Sequence, residues 1–69
     1  MTDLNLTVNG EPRQIPGPAT VAALLAHLEL DPRTVVVELN REIVRRARVA
    51  EVDLRDGDKV ELVHFVGGG

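Results

Sequence analysis

The sequence contains no cysteine, serine, tyrosine or tryptophan, and its 69 residues include one phenylalanine. Without cysteine there is no disulfide framework and no thiolate zinc site. With serine absent too, the nucleophiles of most covalent catalysis are missing. Basic residues do not dominate: 8 Lys+Arg face 11 Asp+Glu, for a net charge of −3. That balance argues against nucleic acid or an anionic membrane as a partner. No apolar run approaches the roughly 20 residues that span a bilayer. Met1-Thr2-Asp3 does not begin a signal peptide, so the expected setting is the cytoplasm. So short a chain is one domain, because two halves would each lack a viable core.

What is present is aliphatic and well patterned. Leu4, Leu6 and Val8 alternate with Asn5 and Thr7, the period-2 pattern of a strand with one buried face. Asn9-Gly10 is a hairpin signal, since both residues tolerate positive φ. Glu11 to Ile15 reads as the return strand, and Pro12 and Pro16 confine it to a sheet edge or keep it short. Thr20 stands where a helix N-cap belongs. Val21, Leu24, Leu25 and Leu28 follow at i, i+3, i+4 and i+7, predicting a helix of about ten residues that Asp31-Pro32 stops near Leu30.

Val35-Val36-Val37-Glu38-Leu39 is the most strand-like stretch, with Val35, Val37 and Leu39 on one face. Asn40-Arg41 reads as a turn into a short strand at Ile43-Val44. Arg45 to Leu54 is irregular, with Val49, Val52 and Leu54 tucked under the domain. Asp56-Gly57-Asp58 turns into a last strand, Lys59 to Phe65, with Val60 and Leu62 inward and Val63 and Phe65 outward. One helix after an N-terminal hairpin must cover one face of a mixed sheet. With the first and last strands parallel at its centre, this α+β arrangement is the β-grasp, or ubiquitin-like, fold. Its expected extent is residues 1–66, followed by a flexible tail, 67–69.

Two features stand out against this scaffold. One is the tail itself, Gly67-Gly68-Gly69, which ends in an α-carboxylate. The other is an apolar cluster, Val36, Val63 and Phe65, on the sheet face away from the helix. His27 and His64 are far apart in sequence and no cysteine accompanies them, so no metal site is expected. The Asp56-Gly57-Asp58 motif reads as turn chemistry. Arg41, Arg45, Arg46 and Arg48 form a local basic run, read as a solvated face that could also meet an acidic partner surface.

The hairpin, helix, Asp-Gly-Asp turn and glycine tail together resemble the ThiS family, the sulfur carrier proteins of thiamine thiazole biosynthesis. The resemblance spans the whole chain. Its most specific segments are Val37-Glu38-Leu39-Asn40-Arg41-Glu42-Ile43-Val44 and Asp56-Gly57-Asp58-Lys59-Val60-Glu61-Leu62-Val63. The chain departs from the family at Arg41, where members usually carry Gly, and at Arg45-Arg46, where they carry Pro-Arg. Val49 replaces a frequent aromatic. None of these departures touches the tail.

The resemblance implies a carrier that is no enzyme and binds no cofactor. An ATP-using E1-like adenylyltransferase would activate the Gly69 carboxylate. A persulfide from a cysteine desulfurase would then convert it to a thiocarboxylate, which a thiazole synthase would consume. Activation is chemically necessary, since a carboxylate with a pKa of roughly 3.3–3.7 is ionised at neutral pH and a poor electrophile. Gly67 and Gly68 suit the role, because three residues without Cβ can thread about 10 Å into a narrow channel. Val36, Val63 and Phe65 would dock the body against the partner. The competing readings are a small subunit of molybdopterin synthase, a ubiquitin-like modifier of lysines, and a binding module with an incidental tail.

Overall fold

Two asparagine-led turns shape the sheet. In the computed structural model, which describes residues 2–65, Asn9 and Gly10 take φ of +50° and +82° between β1 (Asp3–Val8) and β2 (Glu11–Pro16). Both positive φ values match a two-residue hairpin turn whose twist suits the flanking strands. Asn40 and Arg41, at +50° and +73°, make an equivalent turn between β3 (Val35–Leu39) and β4 (Glu42–Val44). The last strand, β5 (Lys59–His64), lies between the two hairpins in the order β2-β1-β5-β3-β4. It runs parallel to β1 through Thr7↔Lys59 and Val8↔Val60, and antiparallel to β3 from Val35↔His64 to Leu39↔Val60. This is the expected β-grasp fold, with proline-bearing β2 at one edge. The described residues form one unit, and Met1 and residues 66–69 lie outside them.

The helix α1 (Val21–His27) lays Val21, Leu24 and Leu25, all fully buried, on the sheet residues Leu6, Val8, Ile15, Val35, Val37 and Val60. Thr20 Oγ1 caps it by accepting from Ala23 N at 3.1 Å, as the N-cap position requires. The helix is shorter than its leucine spacing predicts. Leu30 N donates to Leu25 O at 2.8 Å and Glu29 N to Ala26 O at 3.0 Å, with Glu29 at φ +60°. These are the paired bonds of a Schellman end. They reverse the chain before Asp31-Pro32 is reached and fold Leu28 and Leu30 back against the core. Asp31-Pro32 instead opens a short 3₁₀ turn, Pro32–Thr34.

The segment after β4 contains a second 3₁₀ turn, Arg46–Arg48. Val49 and Leu54 are buried and Val52 half-buried, as expected of residues tucked beneath the domain. What holds the segment is backbone. Val21 N and Ala22 N, in the helix's first turn, donate to Val52 O and Val49 O at 2.9 and 2.8 Å, and Leu54 N donates to Ala19 O at 2.8 Å. The first-turn N–H groups of a helix have no partner within it, and here the loop supplies one.

The Asp-Gly-Asp turn is tied to both hairpins. Asp56 Oδ1 accepts from Asn5 N at 2.7 Å and Asn5 Nδ2 at 3.0 Å, while Asp58 accepts from Arg55 N and from Asn40 Nδ2. The backbone and side-chain bonds from Asn5 hold the Asp56 carboxyl below its ordinary range. Side-chain and then backbone bonds from Arg33 lower Asp31 to about 2. A carboxylate depressed in the folded state adds stability that is present above its unfolded pKa and lost as pH falls through the folded one. Thermal unfolding should therefore be insensitive to pH near neutrality and weaken below about pH 4. Asp56→Asn should lower the melting temperature at pH 6, with a smaller difference from wild type at pH 2.

Gly17 packs where no side chain fits: a Cβ there would lie 2.8 Å from Thr2 O and 3.0 Å from Leu4 Cγ. Gly17→Ala should cost about 1–3 kcal/mol by overpacking, read from chemical denaturation.

Candidate functional site

Among the described residues, only one of the sheet's two faces is covered. Strand alternation turns Leu6, Val37 and Val60 to the helix and sends Val36, Glu38, Glu61 and Val63 to the other side. There Val36 and Val63 stand directly opposite each other across β3 and β5, 40% and 61% exposed. Phe65, one residue beyond β5, is 44% exposed and keeps the same alternation. Its N–H donates to Thr34 O at 3.0 Å. The structure thus brings Val36, Val63 and Phe65 to one face at the end of the strand that leads to the glycines. Gly67, Gly68 and Gly69 lie outside the described residues. From Phe65 the four residues to Gly69 can reach at most roughly 13–14 Å when extended.

The patch is wider than the sequence reading made it. Ile43 is the most exposed large apolar residue described, at 66%, and pairs with Glu38 on the outer face. Val44 pairs inward with Val37, so alternation within β4 sends Ile43 outward. Between the apolar positions, Glu38 and Glu61 oppose each other across β3 and β5. Like charges directly opposite weaken a sheet, so this row does not exist for stability.

Other candidates do not assemble into a reactive centre. His27 ends α1 and His64 ends β5. Among the described residues no group of three His, Asp or Glu side chains is placed to hold a metal ion. Asp56 and Asp58 are occupied by the protein's own donors, which is the turn chemistry expected of them. Among the described residues no helix is long and apolar enough to cross a membrane. What the geometry offers is a surface and a strand end.

Comparison with known proteins places this geometry. The family model described as the ThiS family matches residues 6–69, most of the strands and the final glycines included. The chain belongs to the ThiS family. The ThiS structure of Geobacter metallireducens, determined by crystallography and titled a thiamine biosynthesis protein, superposes with a TM-score of 0.80 at 40% identity. That match covers 96% of this chain and all of the other. The sulfur carrier protein ThiS of Bacillus subtilis is 50% identical over 50 residues, covering 72% of this chain and 76% of its own. A thiazole synthase of Paramagnetospirillum magneticum is 48% identical over 66 residues, 96% of this chain. The chain spans only a fifth of that relative's length.

The two faces of this ThiS-family sheet should respond oppositely to truncation. Val60→Ala, on the covered face, should cost about 1.5–3 kcal/mol. Val63→Ala, three residues along the same strand, should stay within about 0.5 kcal/mol. Urea unfolding of both variants reads the difference.

Proposed function

We propose that this chain is a sulfur carrier of thiamine biosynthesis, acting in the cytoplasm through the carboxylate of Gly69 as a co-substrate of other enzymes and not as an enzyme itself. The observation that carries the reading is the family match running from the hairpin through the last glycine. The exposed face at the base of the tail supports it.

The chemistry assigns each part a task. A carboxylate oxygen of Gly69 attacks the α-phosphorus of ATP on an E1-like adenylyltransferase, pyrophosphate leaves, and an acyl-adenylate forms. The terminal sulfur of a persulfide, supplied by a cysteine desulfurase or another donor, attacks the acyl carbon and displaces AMP. A thiol then cleaves the acyl disulfide, leaving a thiocarboxylate on Gly69 and a disulfide on the donor. A thiazole synthase accepts the sulfur, and the likeness to a chain of that name supports this partner. ATP is consumed on the adenylyltransferase, and the carrier holds no cofactor.

The carrier's own residues position this chemistry. Gly67 and Gly68 offer no Cβ to a narrow channel. Val36, Val63 and Phe65, joined by Ile43, present an apolar face that stops at the channel mouth while the tail enters. The row's place at the foot of the tail is what supports a docking role for it.

Incubation with ATP, adenylyltransferase, desulfurase and cysteine should exchange one terminal oxygen for sulfur in the intact mass. Adducts on lysines of other proteins would instead indicate a modifier. Gly68→Val should slow the exchange by about 100-fold through misplacement of the acyl carbon, with an unchanged melting temperature. Phe65→Ala should raise the KM for adenylation, and unaltered kinetics in that variant would remove the docking role.

A further inference from the structure

The outer face carries one pair of side chains that an apolar docking role does not use. Glu38 and Glu61 stand directly opposite each other across β3 and β5. Glu38 is half-buried and Glu61 exposed. Among the described residues neither forms an ion pair, although Lys59 lies two residues before Glu61 on the same face. Apolar side chains border the pair. Val36 and Val63 are the next outward pair toward the tail, and Ile43 stands opposite Glu38 on its other side. Residues directly opposite in a sheet have Cβ atoms only about 5 Å apart, and like charges there are destabilising. Two carboxylates at that spacing, inside an apolar border, form a seat for one positive charge from outside the chain.

The setting also decides which occupant fits. A second copy meeting this face about a two-fold axis would bring the same patch against itself. Four carboxylates would then be buried together with nothing to offset them. A cation from a partner relieves the repulsion instead. Arginine suits the seat, since its planar guanidinium offers donors to two carboxylates at once and its stem packs on apolar neighbours. Glu61 lies four residues before Phe65, about 13 Å along an extended strand. An ordinary interface covers about 800 Å² on each partner, so a body that takes in the tail also covers the pair. Among the partners of the carrier reading, the comparisons favour thiazole synthase. Chains of that name in Paramagnetospirillum magneticum and Magnetococcus marinus each match 66 residues of this chain with 20% of their own length. In those relatives a segment like this one is tied covalently to the rest of the polypeptide, so the two meet at high effective concentration.

We propose that the outer face docks thiazole synthase and that Glu38 and Glu61 together hold one arginine of the synthase beside its entrance for the tail. The inference rests on the carrier reading and names the partner and the chemistry at its docking face. Val36, Val63 and Phe65 close on apolar surface around that contact and keep water from it. Truncating one member of a buried charge pair acts mainly on the dissociation rate.

The test is calorimetric titration of thiazole synthase with full-length carrier, with dissociation rates read from surface-immobilised synthase. Wild type is compared with Glu38→Gln, Glu61→Gln, the double variant and Glu11→Gln. Glu11 lies on β2 at an edge of the sheet, so its substitution removes the same charge in another place. The double variant should bind about tenfold more weakly or worse, through faster dissociation. It should also melt at a higher temperature than wild type, because the opposed charges are gone. A residue that served only the fold would not move binding and stability in opposite directions. Glu11→Gln should bind as wild type does.

Equal affinities for the double variant and Glu11→Gln would overturn the proposal. So would a double variant that raises the KM of adenylation while binding the synthase normally, which would give the seat to the adenylyltransferase. A wild-type dimer that Val63→Asp dissociates would give the face to a second copy and overturn it too. Wild type that acquires sulfur but does not bind the synthase removes this proposal alone. Wild type that acquires no sulfur with ATP, adenylyltransferase, desulfurase and cysteine removes the carrier reading and this proposal with it.

Discussion

The fold depends on a parallel pairing only two residues long. Thr7↔Lys59 and Val8↔Val60 join the β1–β2 hairpin to the three strands that carry the outer face. Bonds just outside the ladder extend it: Thr7 N donates to Asp58 O at 3.0 Å, and Asn9 N to Val60 O at 2.9 Å. Asn9 then adds its side chain, accepting from Leu62 N at 2.7 Å and donating to Leu62 O at 3.2 Å. Asn40 does the same from the other hairpin, accepting from Lys59 N at 3.0 Å. Each asparagine supplies a left-handed turn and a grip on β5. The strand that leads to the tail is therefore held from both sides by turns, not only by its neighbours.

This arrangement separates two demands on a small protein. The helix-facing side carries the burial that folds the chain, with twelve apolar residues and no buried polar group among those described. The outer side is released from that duty. It can hold exposed Val36, Ile43, Val63 and Phe65 and an opposed glutamate pair without endangering the core. By giving the core to one side of the sheet, a short chain keeps an apolar row exposed on the other.

Much of this was legible in the residues, for reasons that differ by element. The hairpin at Asn9-Gly10, the cap at Thr20 and the inward valines of β3 follow from local stereochemistry and period, which operate over a few residues. The helix end was less legible, because a glutamate at φ +60° carries no glycine to announce the Schellman turn. The packing of residues 46–54 was visible only as the tucked side chains of Val49, Val52 and Leu54. Its ties to the helix N-terminus run through carbonyl groups, which every residue shares. In the candidate site, Val36, Val63 and Phe65 were readable from alternation. Ile43 was missed because a three-residue strand offers little alternation to read.

The Asn9 side chain has a consequence for how these molecules behave at high concentration. β1 ends at Val8 while β5 continues to His64, which among the described residues leaves a stretch of strand without a neighbouring strand on that side. Unpaired strand edges template the addition of other chains. By occupying both backbone groups of Leu62, Asn9 closes the first place where a foreign strand could attach. The amide thus caps that edge with the chain's own side chain, on the strand that leads to the C-terminal glycines.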